Sequence, residues 1–193
     1  MRRITTILFA ITLTFSVYSA ETYKVDTKAS EVYWKGTKPG GSHYGIVSVS
    51  SGSIEVDGDK ILAGEFTIDF NAIRVDDLEG EWRDKLVGHL KSEDFFYTEK
   101  YPYGRFVITK AEKKSGNVYS ISGELTARGV TKEVSFEAKV DIADGKLKGK
   151  TDIFKLDRTD WDLKYNSAKF SADLLKDKII DDMMEIKITL VTK

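Results

Sequence analysis

The chain has 193 residues, 41% of them hydrophobic and 11% aromatic, with 30 basic against 31 acidic side chains and no cysteine. That length suits one domain with a sizeable core, and the lack of Cys excludes disulfides, thiol catalysis, thiolate metal sites and lipid attachment through a cysteine. Lysines alternate with carboxylates instead of gathering into a basic block, which argues against a nucleic-acid partner.

Residues 1–20 differ in kind from the rest. Arg2 and Arg3 precede an apolar run from Ile4 to Val17, and small residues follow at Ser19 and Ala20. This is the layout of a secretory signal peptide. The apolar run is about 14 residues, short of the roughly 20 that a spanning helix needs. Cleavage after Ser19 or Ala20 is expected, leaving residues 21–193 as the mature domain. Without Arg2 and Arg3, 28 basic side chains face 31 acidic ones, a net of about −3. The expected product is soluble and exported, periplasmic in a diderm bacterium.

The mature chain begins as strands. Val32 and Trp34 alternate with Tyr33 and Lys35, Ile54 and Val56 with Glu55 and Asp57, and Phe66, Ile68 and Phe70 with Thr67, Asp69 and Asn71. Period-two alternation of this kind predicts strands with one wet face. Asp57-Gly58-Asp59-Lys60 is a hairpin signal, since glycine adopts positive φ cheaply. Ser51-Gly52-Ser53 reads as a bend between strands, and Gly40 to Gly45 as a flexible loop carrying His43. Neither stretch has the spacing of a nucleophile elbow or a phosphate-binding loop.

One helix follows. Asp76 is its expected cap with Glu79 three residues on, and Leu78, Trp82, Leu86 and Leu90 recur every four residues up to Lys91. The acidic run Asp76, Asp77, Glu79 and Glu81 is explained by the positive end of the helix dipole without invoking a metal. Ser92 caps a further turn through Phe95, and Tyr101-Pro102 restores extended structure, because proline disfavours helix in the residue before it. Leu86, Leu90, Phe95 and Phe96 place four large apolar groups within eleven residues, so this stretch is expected to act as a lid or wall over one end of a sheet.

The second half is strand throughout. Phe106 and Ile108 lead to Tyr119, Ile121 and Leu125, then Val134, Phe136, Ala138, Val140 and Ile142 alternate with polar residues. Phe154 and Leu156 continue the pattern, and Met184, Ile186, Ile188 and Leu190 close the chain. Arg128-Gly129 and Asp144-Gly145 mark tight turns; Asp181-Asp182 reads as another turn. Eight or nine strands with short connections predict an all-β, antiparallel up-and-down barrel or sandwich with one principal helix, and a closed barrel removes exposed edges. Phe66, Ile68, Phe70, Phe106, Ile108, Leu125, Phe136, Phe154 and Leu156 are expected to face its interior.

Few residues suggest chemistry. Of the two histidines, His89 reads as a packed structural residue, while His43 is a candidate contact for a ligand head group. Arg158 falls on the apolar face with Phe154 and Leu156. It is expected either to pair with Asp157, Asp160 or another carboxylate at the barrel rim, or to meet an anionic head group. No nucleophile, base and oxyanion donors converge in the sequence, so no enzyme is expected, and no metal or other cofactor.

Several blocks follow one another as in YceI-like proteins: Trp34-Lys35-Gly36, His43-Tyr44-Gly45, His89-Leu90-Lys91-Ser92-Glu93-Asp94-Phe95-Phe96, Tyr101-Pro102, Gly123-Glu124-Leu125-Thr126, Gly129-Val130-Thr131-Lys132 and Asp157-Arg158-Thr159-Asp160. The chain resembles that family over nearly all of its mature length, departing at Asp162, where the family often has glycine. The resemblance implies an eight-stranded, lipocalin-like antiparallel barrel, in exported bacterial proteins, around a long apolar pocket for a polyisoprenoid chain. Trp34, Leu86, Leu90, Phe95 and Phe96, with the interior-facing residues named above, then become candidates for the pocket wall. The resulting expectation is an exported protein that carries or sequesters an isoprenoid quinone or polyprenyl lipid, with a homodimer plausible. The alternatives are a stress-related interaction or structural barrel without a permanent ligand, favoured by a tightly filled interior, and, further off, an enzyme acting on a lipid.

Overall fold

The computed structural model describes residues 20–171 and 173–193; all but the last residue of the expected signal peptide lies outside them. Among the described residues ten strands form: β1 (Glu21–Lys24), β2 (Glu31–Lys38), β3 (Gly41–Asp57), β4 (Lys60–Asp69), β5 (Tyr103–Ser115), β6 (Val118–Ala127), β7 (Val130–Ala143), β8 (Lys146–Thr151), β9 (Phe154–Asp157) and β10 (Met183–Val191). One α-helix, α1 (Gly80–Lys91), stands between β4 and β5. Short 3-10 turns occupy Phe70–Ala72, Arg158–Trp161 and Lys176–Lys178.

Eight strands pair antiparallel in the order β2, β3, β4, β5, β6, β7, β8, β10, and β10 pairs back onto β2 to close the barrel. Of the remaining two, β9 carries the alternation read at Phe154 and Leu156, whereas β1 was not read from the pattern. β1 lies along the far half of β3, and β9 pairs the first half of β10 ahead of β8. β3 is one continuous strand of 17 residues, where the alternation suggested a loop, a strand, a bend and a second strand. Its register shifts between Val49 and Ser51. One extra residue there flips the phase of the alternation, so Val47 and Val49 on one side and Ile54 and Val56 on the other are all buried. Ser51-Gly52-Ser53 and His43 therefore belong to the strand itself.

The tight turns match their residues. Arg128-Gly129 and Asp144-Gly145 each hold two consecutive positive φ values, 48° and 76° in the first and 52° and 69° in the second, the conformation whose twist suits a two-residue hairpin. Asp162 also has positive φ, 63°, a conformation that glycine adopts without strain.

Inside the barrel, a row of rings crosses from β4 to β9: Phe66 to Phe106 at 6.4 Å between centroids, Phe106 to Phe136 at 5.7 Å and Phe136 to Phe154 at 4.9 Å. Gly123 makes room for this row, since a Cβ there would lie 2.5 Å from the Phe106 ring and 2.4 Å from the Val107 carbonyl oxygen.

The helix departs from its expected cap. The Asp76 N–H donates to the Tyr44 carbonyl at 2.9 Å and the Arg74 N–H to that of Ile46 at 2.8 Å, so residues 74–76 run as an extra edge beside β3. α1 starts only at Gly80, and Glu79 at its N-cap makes no side-chain cap hydrogen bond. Of the acidic run, only Glu81 sits in the first turn. The apolar stripe is also shorter than the spacing suggested: Trp82 is 71% exposed and Leu90 is buried. Sheet hydrogen bonding at the β3 edge outweighs the local capping pattern.

Candidate functional site

The barrel encloses a cavity of about 270 Å³, and its wall is assembled from three sources. Period-two alternation supplies Phe66, Ile68, Phe106, Ile108, Leu125, Phe136, Phe154 and Leu156 from strands β4, β5, β6, β7 and β9. The 3-10 turn after β4 supplies Phe70. The helix and the turn after it supply Leu86, Leu90, Phe95 and Phe96, held in place by a ring stack between Phe70 and Phe96 at 4.4 Å. Arg128 donates to the Phe95 carbonyl, which ties this turn to the β6–β7 hairpin.

Trp34 is buried in the same wall, and its indole N–H donates to the Arg74 carbonyl at 3.2 Å. That carbonyl explains Gly45 opposite Trp34: a Cβ on residue 45 would lie 1.9 Å from the Arg74 oxygen. Every wall residue singled out from the sequence thus borders one cavity. Others were missed. Trp161, Leu163 and Ile180 line it from the chain between β9 and β10, where no strand or helix period exists to announce them.

Of the polar residues that border the cavity, Arg158 and His43 are the two singled out from the sequence. Arg158 is 2% exposed. Its Nε donates to the Asp181 carbonyl at 3.1 Å, its Nη2 to the Ile180 carbonyl at 3.0 Å and to Asp182 Oδ1 at 3.4 Å, and its Nη1 to the Leu163 carbonyl. The carboxylate partner is therefore Asp182, one of the two residues read as a plain turn. Burial pushes the guanidinium below its ordinary value, opposed by the nearby carboxylates of Asp182, Asp157 and Asp181. Lys169 extends the cluster, reaching Asp157 at 2.5 Å and Asp182 at 3.4 Å. Arg158 thereby pins both ends of the long connection from Leu163 to Ile180 to the start of β10.

The other is His43. It lies on β3 opposite Gly36, borders the cavity and has a side chain 33% exposed, so it stands where the cavity opens. Its Nδ1 lies 2.7 Å from Asp77 Oδ2, and Asp77 Oδ1 accepts the Tyr44 N–H at 2.9 Å. Burial pushes the Asp77 carboxyl up, but the Tyr44 N–H and His43 together bring it below its ordinary value. Thr37, Lys38 and Asp181 line the cavity nearby, with the Thr37 hydroxyl donating to Asp181.

His89 packs edge-on against Phe95 at 5.0 Å and Tyr165 at 4.6 Å, with Nε2 3.0 Å from Asp94. It plays the packed role expected of it. Among the described residues, no group of three or more His, Asp or Glu side chains is placed to hold a metal ion, and no helix is long and apolar enough to cross a membrane.

A closed barrel with a helical wall over an apolar cavity agrees with the family comparison, in which the model of the YceI-like domain matches residues 23–192. The chain belongs to the YceI-like family. Protein YceI of Escherichia coli O157:H7 is 39% identical over 97 residues, 50% of this chain and 48% of that protein, so the chain spans about half the length of the curated relatives it matches at this identity. Among solved structures, BcnA of Burkholderia cenocepacia superposes with a TM-score of 0.69 at 20% identity, covering 88% of this chain and 99% of that one. A polyisoprenoid binding domain from Saccharophagus degradans, implicated in plant cell wall breakdown, superposes with a TM-score of 0.63 at 14% identity, covering 89% and 97%. At these identities the structural matches establish the shared barrel fold.

Proposed function

We propose that the protein is an exported carrier that holds a long, apolar, isoprenoid-type lipid inside the barrel. The observation that carries this reading is the cavity: its wall is apolar on nearly every side, and it lies within a barrel whose fold is shared with a polyisoprenoid binding domain. A tightly filled interior would have favoured a purely structural barrel, whereas about 270 Å³ stays open here. That volume sits just under the roughly 300–1,000 Å³ of most ligand pockets. Burying one isoprene unit of five carbons stabilises by at most about 4 kcal/mol, so two or three units support micromolar binding after the costs of association. Export rests on the layout of residues 1–20.

Native mass spectrometry of protein purified from its own host, followed by organic extraction, tests the proposal. A co-purifying prenyl lipid is expected. Recovery of ligand-free protein that also fails to bind added prenyl chains would reject it. In the same titration, Leu90→Asp and Phe95→Asp proteins that circular dichroism shows to be folded should bind a prenyl chain more weakly, because both residues border the cavity. Unchanged affinity in both would leave the helix as ordinary core.

A further inference from the structure

We propose that the end of the barrel where the cavity opens is a membrane-docking face, seated on the surface of a lipid bilayer by Trp82, Phe170 and Leu175. This rests on the carrier reading above. Among the described residues, eight large apolar side chains stand in solvent, and six of them lie at this one end. Trp82 is on α1, Phe170 and Leu175 are on the connection from Leu163 to Ile180, and Tyr44 follows His43 on β3. Met183 opens β10 and Tyr103 opens β5 directly after the helix and its turn. The other two are Leu62, in the first half of β4, and Ile153, ahead of β9. Leu175 is 68% exposed and Phe170 53%, close to the exposure of Trp82.

The three principal residues belong to elements that meet around the opening. Tyr165 of the connection packs on His89 at 4.6 Å, two turns along α1 from Trp82. At its other end, the Asp181 N–H donates to the Thr37 carbonyl at 2.9 Å, and both residues line the cavity. Lysines give the face its amphipathic character. Lys85 Nζ lies 5.0 Å from the centre of the Trp82 ring and Lys164 Nζ 4.7 Å from that of Phe170. Each ring can therefore sink among lipid head groups while its long-stemmed cation stays in water, and an indole favours that layer. The local charges balance, since Lys85 pairs with Glu81, Lys164 with Asp162 and Lys178 with Asp177. Apolar insertion, not attraction to anionic lipid, then holds the protein there. The cargo supplies the reason for such a face. Passing one isoprene unit through water costs roughly a thousandfold in population, and an opening set against the bilayer removes that step.

The test uses protein purified from its own host and phosphatidylcholine vesicles. Wild-type protein should float with the vesicles and continue to do so in about 1 M salt, which screens exposed charges. Trp34 and Trp161 are buried, so a blue shift of tryptophan emission on vesicles reports Trp82. The double variant Trp82→Ser, Leu175→Ser should partition at least about tenfold less. Leu62→Ser removes an exposed apolar group elsewhere on the barrel and should stay within about twofold of wild type. All three proteins should bind farnesol equally in solution, because none of these residues borders the cavity. Wild-type protein that binds farnesol but does not float would overturn the docking face and leave the carrier reading standing. An equal loss in Leu62→Ser, or binding that needs anionic lipid and vanishes in salt, would overturn it too. So would sedimentation showing a dimer that the double variant dissociates, because a second copy would then cover the face. Failure to bind farnesol at all removes the carrier reading and this one with it.

Discussion

Arg158 and His43 both place a basic side chain in the same apolar wall, and the protein satisfies them in opposite ways. Arg158 is closed off: three backbone carbonyls and Asp182 take its donors, and 2% of the residue reaches solvent. His43 is held from one side by Asp77 and leaves a third of its side chain, 33%, exposed. A buried charge without partners costs several kcal/mol, so a polar group deep in the wall must be saturated by protein. Only at the rim, where water can stand in for a ligand, can hydrogen-bonding capacity be left over.

The largest effect that would break this contrast is expected from Arg158→Ala. It leaves three carbonyls unpaired and Asp182, whose side chain is 13% exposed, with Lys169 as its remaining ion pair, and should cost about 3–5 kcal/mol in chemical denaturation. A loss under about 1 kcal/mol would mean that the cluster is not the staple of the Leu163–Ile180 connection. Asp182→Asn keeps the shape and removes the charge, and should cost about 1–3 kcal/mol on the same measurement.

Acid provides a third comparison. Burial pushes the Asp77 and Asp157 carboxyls up, yet their hydrogen bonds leave both below the ordinary value, from Tyr44 and His43 in one case and from Lys169 and Thr159 in the other. The unfolded chain therefore takes up these protons first as pH falls. Their contribution is fully present above the ordinary carboxylate range and is lost as pH drops through the folded values. Wild-type and Asp77→Asn proteins should thus differ in stability at neutral pH and converge below about pH 4. A gap that stays constant into acid would show that the Asp77 charge does not stabilise the fold. The smallest stability effect is expected for His43→Leu, about 1 kcal/mol or less, since the ring is partly exposed and Asp77 keeps the Tyr44 N–H.

The barrel wall was legible in the sequence because alternation reports directly which side of a strand is dry. Phe66, Ile68, Phe106, Ile108, Phe136 and Phe154 all lie where that period puts them, and Leu86, Leu90, Phe95 and Phe96 border the same cavity. The same rule misread β3, because the shift after Val49 changes the phase of the alternation and makes one strand look like separate pieces. It also missed β1, whose four residues carry too short a pattern to register. Trp82 shared the spacing of Leu86 and Leu90, yet stands in solvent. Spacing names a helical face but not where along the helix the core begins.

What the sequence by itself determined was the dry side of most barrel strands, the tight turns and the membership of the YceI-like family, all carried by residues close together in the chain. Only the tertiary structure decided what the polar residues do. Asp76 looked like a cap and became part of an edge beside β3, because Tyr44, 32 positions away, offers it a carbonyl. Asp77 looked like helix-dipole charge and instead lies 2.7 Å from Nδ1 of His43, 34 positions away. Arg158 could have faced a ligand, but Ile180, Asp181 and Asp182 fold back onto it. Apolar burial is non-directional, so a local pattern suffices to predict it. A hydrogen bond depends on a single partner at a fixed distance and angle, and that partner is chosen when the barrel closes.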